Sequence, residues 1–406
     1  MSVEDRRTGR RPENRQRNEK RRSSIRYQER SDRRTPQRRP ASKEKSKTGK
    51  ILLFAIEMVV LVALVGILWT VLKTEKVGKV NLDVEDIVIN EEVKAKMQAV
   101  SSGEDSGSGG MFNGFRNVAL FGVDSREGAL TKNTRSDTII VASINEETGE
   151  CRLMSVYRDT YLNLGNDTYN KCNAAYAKGG PMQAINMLNM NLDLDITDFV
   201  TIGFDGLIDV IDAVGGVEVE VLDSEIVHLN NYQISMVGKS KDGETFTADA
   251  GKDYIPVTNA GVQVLNGLQA TAYCRIRYVG NDFQRTERQR KVIMGIVEKA
   301  KQNPSKLPEV AEKLFGEVYT SFDLTDIISI LKNIGKYQIT EQAGFPDKEH
   351  LGGANVGKKG SCVIPLTLED SVKWLHKFLF GTEDYDPSNA VKQYSKQIIM
   401  DAAPYM

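Results

Sequence analysis

Hydrophobic and polar positions divide the chain into stretches of very different character. Residues 1–50 carry almost no large apolar side chains, whereas residues 51–72, "ILLFAIEMVVLVALVGILWTVL", are apolar for 22 positions with one ionisable member, Glu57. At about 1.5 Å per residue, a helix of that length spans the roughly 30 Å hydrocarbon core of a bilayer. No small-residue cleavage site follows it, so the pattern predicts a membrane anchor and not a removed leader. Residues 73–115 are mostly polar and end in "SSGEDSGSGG", the composition of a stalk with a flexible linker. Alternation then sets in. Residues 117–124 ("NVALFGVD"), 137–145 ("DTIIVASIN") and 151–159 ("CRLMSVYRD") read as strands, the last two joined by turn chemistry at Thr148-Gly149. Met182, Ile185, Leu188 and Leu192 fall at helical spacing. "DFVTIGF" reads as a strand, "DGLIDVIDAVGG" as a helix closed by glycines, and "VEVEV" as a strand again. "ATAYCRIRY" is apolar and aromatic enough for an extended segment. Helices are expected over 286–302, 305–315 and 324–336, and the alternation continues through "CVIPLTLEDSVKWLHKFLF".

This order of elements predicts a three-layer α/β/α sandwich with a mixed central sheet, carried on a single-pass membrane anchor. The boundaries follow the pattern: a disordered tail at 1–50, a transmembrane helix at 51–72, an extracellular stalk and linker at 73–115. A core at 116–302 follows, then helices and strands at 303–384 completing the same domain, and a C-terminal tail at 385–406.

Charge adds a direction. The net charge of -1 hides a basic head, 19 Lys+Arg against 7 Asp+Glu in residues 1–50, on an acidic remainder of 35 against 48. The positive-inside bias puts the head in the cytoplasm and everything after residue 72 outside the cell membrane. The head lacks aromatic interleaving or a DNA-binding motif, so contact with anionic lipid of the inner leaflet fits it better than specific nucleic acid. Glu57 has two readings: an intramembrane functional carboxylate, or one that is protonated or reaches the nearby interface.

Candidate chemistry concentrates in "YCRIRYVGNDFQRTERQR", residues 273–290, which holds five arginines. In an extended "CRIR" segment, Arg275 and Arg277 share a face. A helix capped by Asn281 or Asp282 then puts Arg285, Arg288 and Gln289 on one side. Guanidinium forks beside a helix N-terminus make an anion site, although a solvated charged face is the alternative. Arg135 and Arg158 stand at further strand ends, as do Asp124 and Asp137. Magnesium is typically held by one or two carboxylates plus substrate phosphates, so paired aspartates among arginines read as a diphosphate–Mg²⁺ site. The three histidines lie outside these motifs, which disfavours a zinc site or a His-dependent hydrolase, and no GxxxxGK[ST] run exists for a phosphate-binding loop. Methionines in "GGPMQAINMLNMNL" read either as core or as a pliable wall for a lipid chain.

The motifs "FGVDSR", "RSDTIIV", "SVYRDTY", "KCNAAYAKGG", "GFDGLIDVIDAVGGVEVEV" and "GLQATAYCRIRYVGNDFQRTERQR" together resemble the LytR-CpsA-Psr family. That resemblance implies a Mg²⁺-dependent phosphotransferase. It would move an anionic glycopolymer, of teichoic acid or capsular polysaccharide type, from undecaprenyl-pyrophosphate to peptidoglycan, with an apolar tunnel for the polyprenyl chain. Matched motif by motif, Asp124 and Asp137 resemble the metal-side carboxylates. Arg135, Arg158, Arg275, Arg277, Arg285 and Gln289 resemble the pyrophosphate contacts. Asp282 resembles the acidic residue that assists catalysis beside Arg275 and Arg277. Two rival readings use the same residues: a polyprenyl-pyrophosphate pyrophosphatase with water as acceptor, and a non-catalytic lipid-binding regulator of the cell envelope. Finally, four cysteines on the extracellular side have two readings: disulfides, with Cys172 and Cys274 within site motifs as the expected bridge, or four small buried apolar residues.

Overall fold

The computed structural model describes residues 78–79, 84–101, 114–125, 130–131, 133–240, 245–307 and 333–406, with positions 310–311, 314, 317–323, 326–327 and 329–330 between them. The tail at 1–50, the apolar segment at 51–72 with Glu57, and linker residues 102–113 lie outside the described residues. Among the described residues no helix is long and apolar enough to cross a membrane.

A seven-stranded mixed sheet forms the centre. Its order is Gly78–Lys79, Val318–Thr320, Asp198–Ile202, Phe115–Val123, Ser136–Asn145, Glu150–Val156, Gln338–Phe345. The three middle strands Phe115–Val123, Ser136–Asn145 and Glu150–Val156 run antiparallel, and parallel pairings with Asp198–Ile202 and Gln338–Phe345 flank them. The turn before Glu150 is built as the residues dictate. Asn145 Oδ1 accepts from the backbone of Glu147 and Thr148, both at 3.0 Å, and Gly149 closes at φ +78°. A side chain there would run into the carbonyl of Lys336, so only glycine serves.

Alternation along the strands sends side chains to two faces, each covered by helices. Ala119, Phe121, Ile139, Val141, Met154 and Val156 face one way. They pack with helices Ala174–Leu192, Leu368–Phe380 and Asn389–Ala402. Leu120, Ile140, Ala142 and Leu153 face the other way, toward Ile293 of helix Asp282–Gln302. Helix Phe204–Val214 lies on this second side too, packing Val210, Ala213 and Val214 with Ala300.

Two segments differ from the sequence reading. Residues 385–406, read as a tail, hold helix Asn389–Ala402, whose Val391, Ile398 and Ala402 are fully buried. Part of the expected stalk joins the core as well. Val93 of helix Glu91–Ser101 is fully buried, and Asn90 donates to the buried carboxylate of Asp193 at 2.6 Å. That same carboxylate accepts from Tyr385 at 2.9 Å and from the Ser388 backbone at 2.7 Å, so one acid ties three distant parts of the chain together.

The four cysteines are free and buried. The expected Cys172–Cys274 bridge is therefore absent. The cause is packing: Cys172 belongs to the first core, donating to the carbonyls of Tyr157 and Arg158 at 3.2 and 3.3 Å. Cys274 belongs to a separate cluster with Val219, Leu229 and Ile276. Burial pushes the thiols up, to about 11 for Cys151 and about 12 for Cys274, so they behave as small apolar residues and not as nucleophiles.

Candidate active site

On the second face of the sheet the helices stand off enough to leave a cavity of about 380 Å³. Its body is apolar. Leu120, Ile140, Val200 and Ile202 come from the strands; Leu207, Val292, Ile293 and Ile296 come from the helices. Its charged and amide-bearing lining is Asp124, Asp137, Arg275, Arg277, Arg285 and Gln289, residues scattered over 166 positions of sequence. No residue of the methionine-bearing helix Ala174–Leu192 lines it, and Met187 sits fully buried in the opposite core. Of the two readings of those methionines, the structure supports core.

The arginine segment departs from expectation in its backbone. "ATAYCRIRY" is not extended: Gly267–Arg275 is a helix, and Arg275 is its last residue. The start signal is Asn266, whose Oδ1 accepts from Gln269 N at 2.9 Å while Gln269 Oε1 accepts from Asn266 N at 3.0 Å. This helix is buried nearly all round, so no polar stripe betrays its period. Arg275 and Arg277 still reach the same cavity. Arg275 lies over the rings of Phe204 (4.4 Å) and Tyr232 (5.4 Å), an aromatic seat that sequence reasoning missed.

Helix Asp282–Gln302 begins as predicted, with Asn281 as its cap accepting from Phe283 N at 2.9 Å. Its arginines then divide. Arg285 points to the cavity and is only 2% exposed. It donates to the Asp137 carbonyl and to Asp282 Oδ2, both at 3.3 Å, while its Nε has no hydrogen-bond partner among the described residues. Gln289 Oε1, one turn on, is likewise without one. Arg288 and Arg290 are structural instead. Arg290 binds Ser155 Oγ at 2.6 Å and Gln342 at 2.9 Å. Arg288 does not join the anion face expected of it. It pairs with Glu225 at 2.6 Å, with side chains 5% and 3% exposed, and donates to the Ile276 and Val279 carbonyls. Arg288→Met should therefore cost about 3–5 kcal/mol in urea unfolding by stranding a buried Glu225, and Glu225→Gln in addition should restore part of it. Loss of turnover with unchanged stability would instead place Arg288 at the reacting centre.

A chain of ion pairs runs from the cavity lining outward to Arg158 and Asp282. Asp137 Oδ1 accepts from Arg158 at 2.8 Å and Oδ2 from Arg277 at 3.1 Å. Arg158 also reaches Asp282 Oδ2 at 3.2 Å and Asp159 at 3.6 Å. Burial alone would raise Asp137, but Arg158, Arg285 and Arg277 outweigh it and hold the carboxyl below the usual range. Burial also lowers Arg285, opposed by Asp282. Arg158 and Asp282 thus support the lining without forming it. Arg135 does neither: it is exposed just before strand Ser136–Asn145 and does not line the cavity. Asp124 is exposed at the end of strand Phe115–Val123 and lines the cavity with Asp137. Among the described residues no group of three or more His, Cys, Asp or Glu is arranged to hold a metal. Two carboxylates on one cavity wall fit a hard cation that takes its remaining oxygens from water and a ligand.

Residues 82–350, two thirds of the chain, match the LytR_cpsA_psr family. The chain belongs to that family. Among curated relatives, the polyisoprenyl-teichoic acid–peptidoglycan teichoic acid transferase TagU of Enterococcus faecalis is 37% identical over 185 residues, 45% of this chain and 52% of the relative. The corresponding transferase TagV of Bacillus subtilis is 30% identical over 203 residues, covering 48% and 47%. Biofilm regulatory protein A of Streptococcus mutans is 27% identical over 312 residues, covering 68% and 72%. The chain spans about half the length of the teichoic acid transferases it matches. Solved structures of TagT bound to LI-WTA and of B. subtilis TagV superpose with TM-scores of 0.51 each, at 20% and 24% identity. They cover 69% and 67% of this chain, and 96% and 98% of theirs. At those identities the likeness speaks for a shared fold.

Proposed function

We propose that this family member is a Mg²⁺-dependent phosphotransferase that moves an anionic glycopolymer from undecaprenyl-pyrophosphate to peptidoglycan on the outer face of the cell membrane. The observation carrying this reading is the shape and polarity of one cavity: an apolar body ending on Arg275, Arg277 and Arg285, with Asp124 and Asp137 beside them. A ligand complementary to it has a hydrocarbon chain and a doubly anionic head, which describes a polyprenyl pyrophosphate. The names of the transferase relatives point the same way.

In the proposed reaction a hydroxyl of the acceptor attacks the phosphorus on the glycan side. The bond from that phosphorus to the bridging oxygen breaks, and polyprenyl phosphate leaves carrying the released electron pair. Phosphoryl transfer asks for positioning and charge neutralisation more than for covalent help from the protein. Arg285, held by Asp282 and by the Asp137 carbonyl, and Arg275, seated on its two aromatic rings, supply fixed cations to the phosphates. Asp282 orients Arg158 and Arg285 and stands as the acceptor for the hydroxyl proton. Asp124 and Asp137 would hold Mg²⁺, which when bound neutralises charge on the phosphate oxygens.

The test incubates the full chain with a polyprenyl-pyrophosphate-linked glycan, Mg²⁺ and peptidoglycan fragments. Glycan-linked peptidoglycan is the expected product. Free glycan phosphate alone would make the protein a pyrophosphatase, and binding without turnover would favour the regulator that the S. mutans relative's name points to. A second variant addresses the cavity. Ile296→Trp, filling the apolar body, should cut kcat/KM at least tenfold for a long polyprenyl donor while a short-chain donor stays within about threefold. Equal losses for both donors would show that the chain does not lie there.

A further inference from the structure

Three separate parts of the chain enclose a second, open pocket of about 560 Å³. The parts are the hairpin of Tyr161–Asn163 with Tyr169–Lys171, the turn at Gly357–Lys359, and helix Asn389–Ala402. Its lining is polar and aromatic: Asp167, Tyr169 and Lys359, with Gln393, Tyr394, Gln397 and Asp401 from the helix. Five of these seven residues lie beyond the part of the chain that matches the family.

The wall is fixed in place. Asp401 Oδ1 accepts from Gln397 at 2.7 Å, and its Oδ2 accepts from the Tyr161 hydroxyl at 2.9 Å. That hydroxyl in turn accepts from Lys359 Nζ at 2.7 Å. Tyr169 and Tyr394 meet edge to face with centroids 6.5 Å apart. Asp167 is held at the rim by a turn in which both Asn166 and Asp167 adopt φ +53°. The turn is closed by Leu164 N to Thr168 O at 2.7 Å. Two successive left-handed residues, neither of them glycine, are a cost that the fold carries at this one rim.

We propose that this pocket binds a neutral saccharide chain, and that the saccharide is the acceptor glycan of the transfer; the second half of this statement rests on the transferase reading above. Tyrosine rings accept the C–H face of a pyranose, while carboxylate and amide oxygens accept from its hydroxyls and the ammonium of Lys359 donates to them. Charge separates acceptor from donor. The lining carries two carboxylates against one ammonium, which repels a phosphate-bearing polymer and suits an uncharged sugar. Position suits an acceptor too. Tyr161, beneath the pocket, is three residues from Arg158, so their Cα atoms are at most about 11 Å apart. Its cross-strand partner Lys171 pairs with Asp159 at 3.1 Å, directly beside Arg158. A sugar chain seated on the tyrosines would extend past Lys171 and Asp159 to meet the arginine cluster, leaving the lipid cavity to the donor.

The experiment titrates the full chain with an N-acetylglucosamine tetrasaccharide by calorimetry, beside Tyr394→Ala and Gln397→Ala. Each variant is checked for an unchanged melting temperature and for unchanged inorganic pyrophosphate binding. At least tenfold weaker saccharide binding in both variants is expected. In the transfer assay the acceptor KM should rise by a similar factor, with kcat within twofold. Absence of binding to the wild type overturns the site, as does equal binding by all three proteins. Tighter binding of a phosphate-bearing glycan at the same residues overturns the neutral assignment. Saccharide binding by a wild-type protein that transfers nothing supports the binding site and sinks the transferase reading alone.

Discussion

Arg285→Lys is expected to lower kcat by two to three orders of magnitude, with a much smaller change in KM for the lipid donor. The expectation comes from what lysine cannot reproduce. Arg285 uses one guanidinium nitrogen for both Asp282 and the Asp137 carbonyl, while its Nε has no partner among the described residues and its side chain lines the cavity. Lysine offers a single nitrogen at the end of a flexible stem, so it must choose between the anchor and the ligand. Charge is conserved, so general attraction for an anion survives. What is lost is a fixed donor aimed at developing charge, a loss that typically costs a factor of about 10² to 10³. The side chain is buried, so a melting curve must accompany the kinetics. A well-folded lysine variant with wild-type kcat would mean that Arg285 holds the fold together and touches no substrate.

How much of this was legible in the chain depended on whether the signal was local. The strands announce themselves because Ala119, Phe121 and Val123 alternate with Val118 and Leu120, and the sheet buries both sets, Leu120 only in part. Arg285 and Gln289 are one turn apart on a capped helix, so their shared face could be read directly. Arg288 could not be placed this way. At i+3 from Arg285 it belongs to the same broad face, and only Glu225, 63 positions away, decides that it turns into the core. Helix Gly267–Arg275 does not show in the sequence pattern because it is buried nearly all round, and Asn266 and Gln269 carry its start signal. The apolar cavity has no signature at all in the sequence. Its wall comes from strands and helices spread from Leu120 to Leu314, each ordinary by itself. Cys172 and Cys274 show the converse: the family resemblance suggests a bridge between their two motifs, but Cys172 packs into the first core and Cys274 into another.

Asp137→Asn is expected to abolish measurable turnover at every Mg²⁺ concentration, whereas Asp124→Asn should be rescued in part by excess Mg²⁺. The difference lies in what each carboxylate holds. Asp124 is exposed, and in the proposed reaction it serves the cation alone. Asp137 takes Arg158 on one oxygen and Arg277 on the other. Removing its charge leaves Arg158, Arg277 and Arg285 facing one another with less to hold them, so the phosphate seat and the proposed metal seat fail together. A pH series gives an independent reading. The Asp137 carboxyl is held below its ordinary value in the native state, so it binds its proton more weakly there than in the unfolded chain. Its contribution to stability is therefore complete above an unfolded value of about 3.9 and disappears as pH falls through the lower native value. Urea midpoints of the wild type should fall across that acid window, and those of Asp137→Asn should fall less steeply. If the two slopes coincide, the ion-pair chain does not stabilise the fold. If Asp137→Asn responds to excess Mg²⁺ as Asp124→Asn does, Asp137 is a metal ligand and little else.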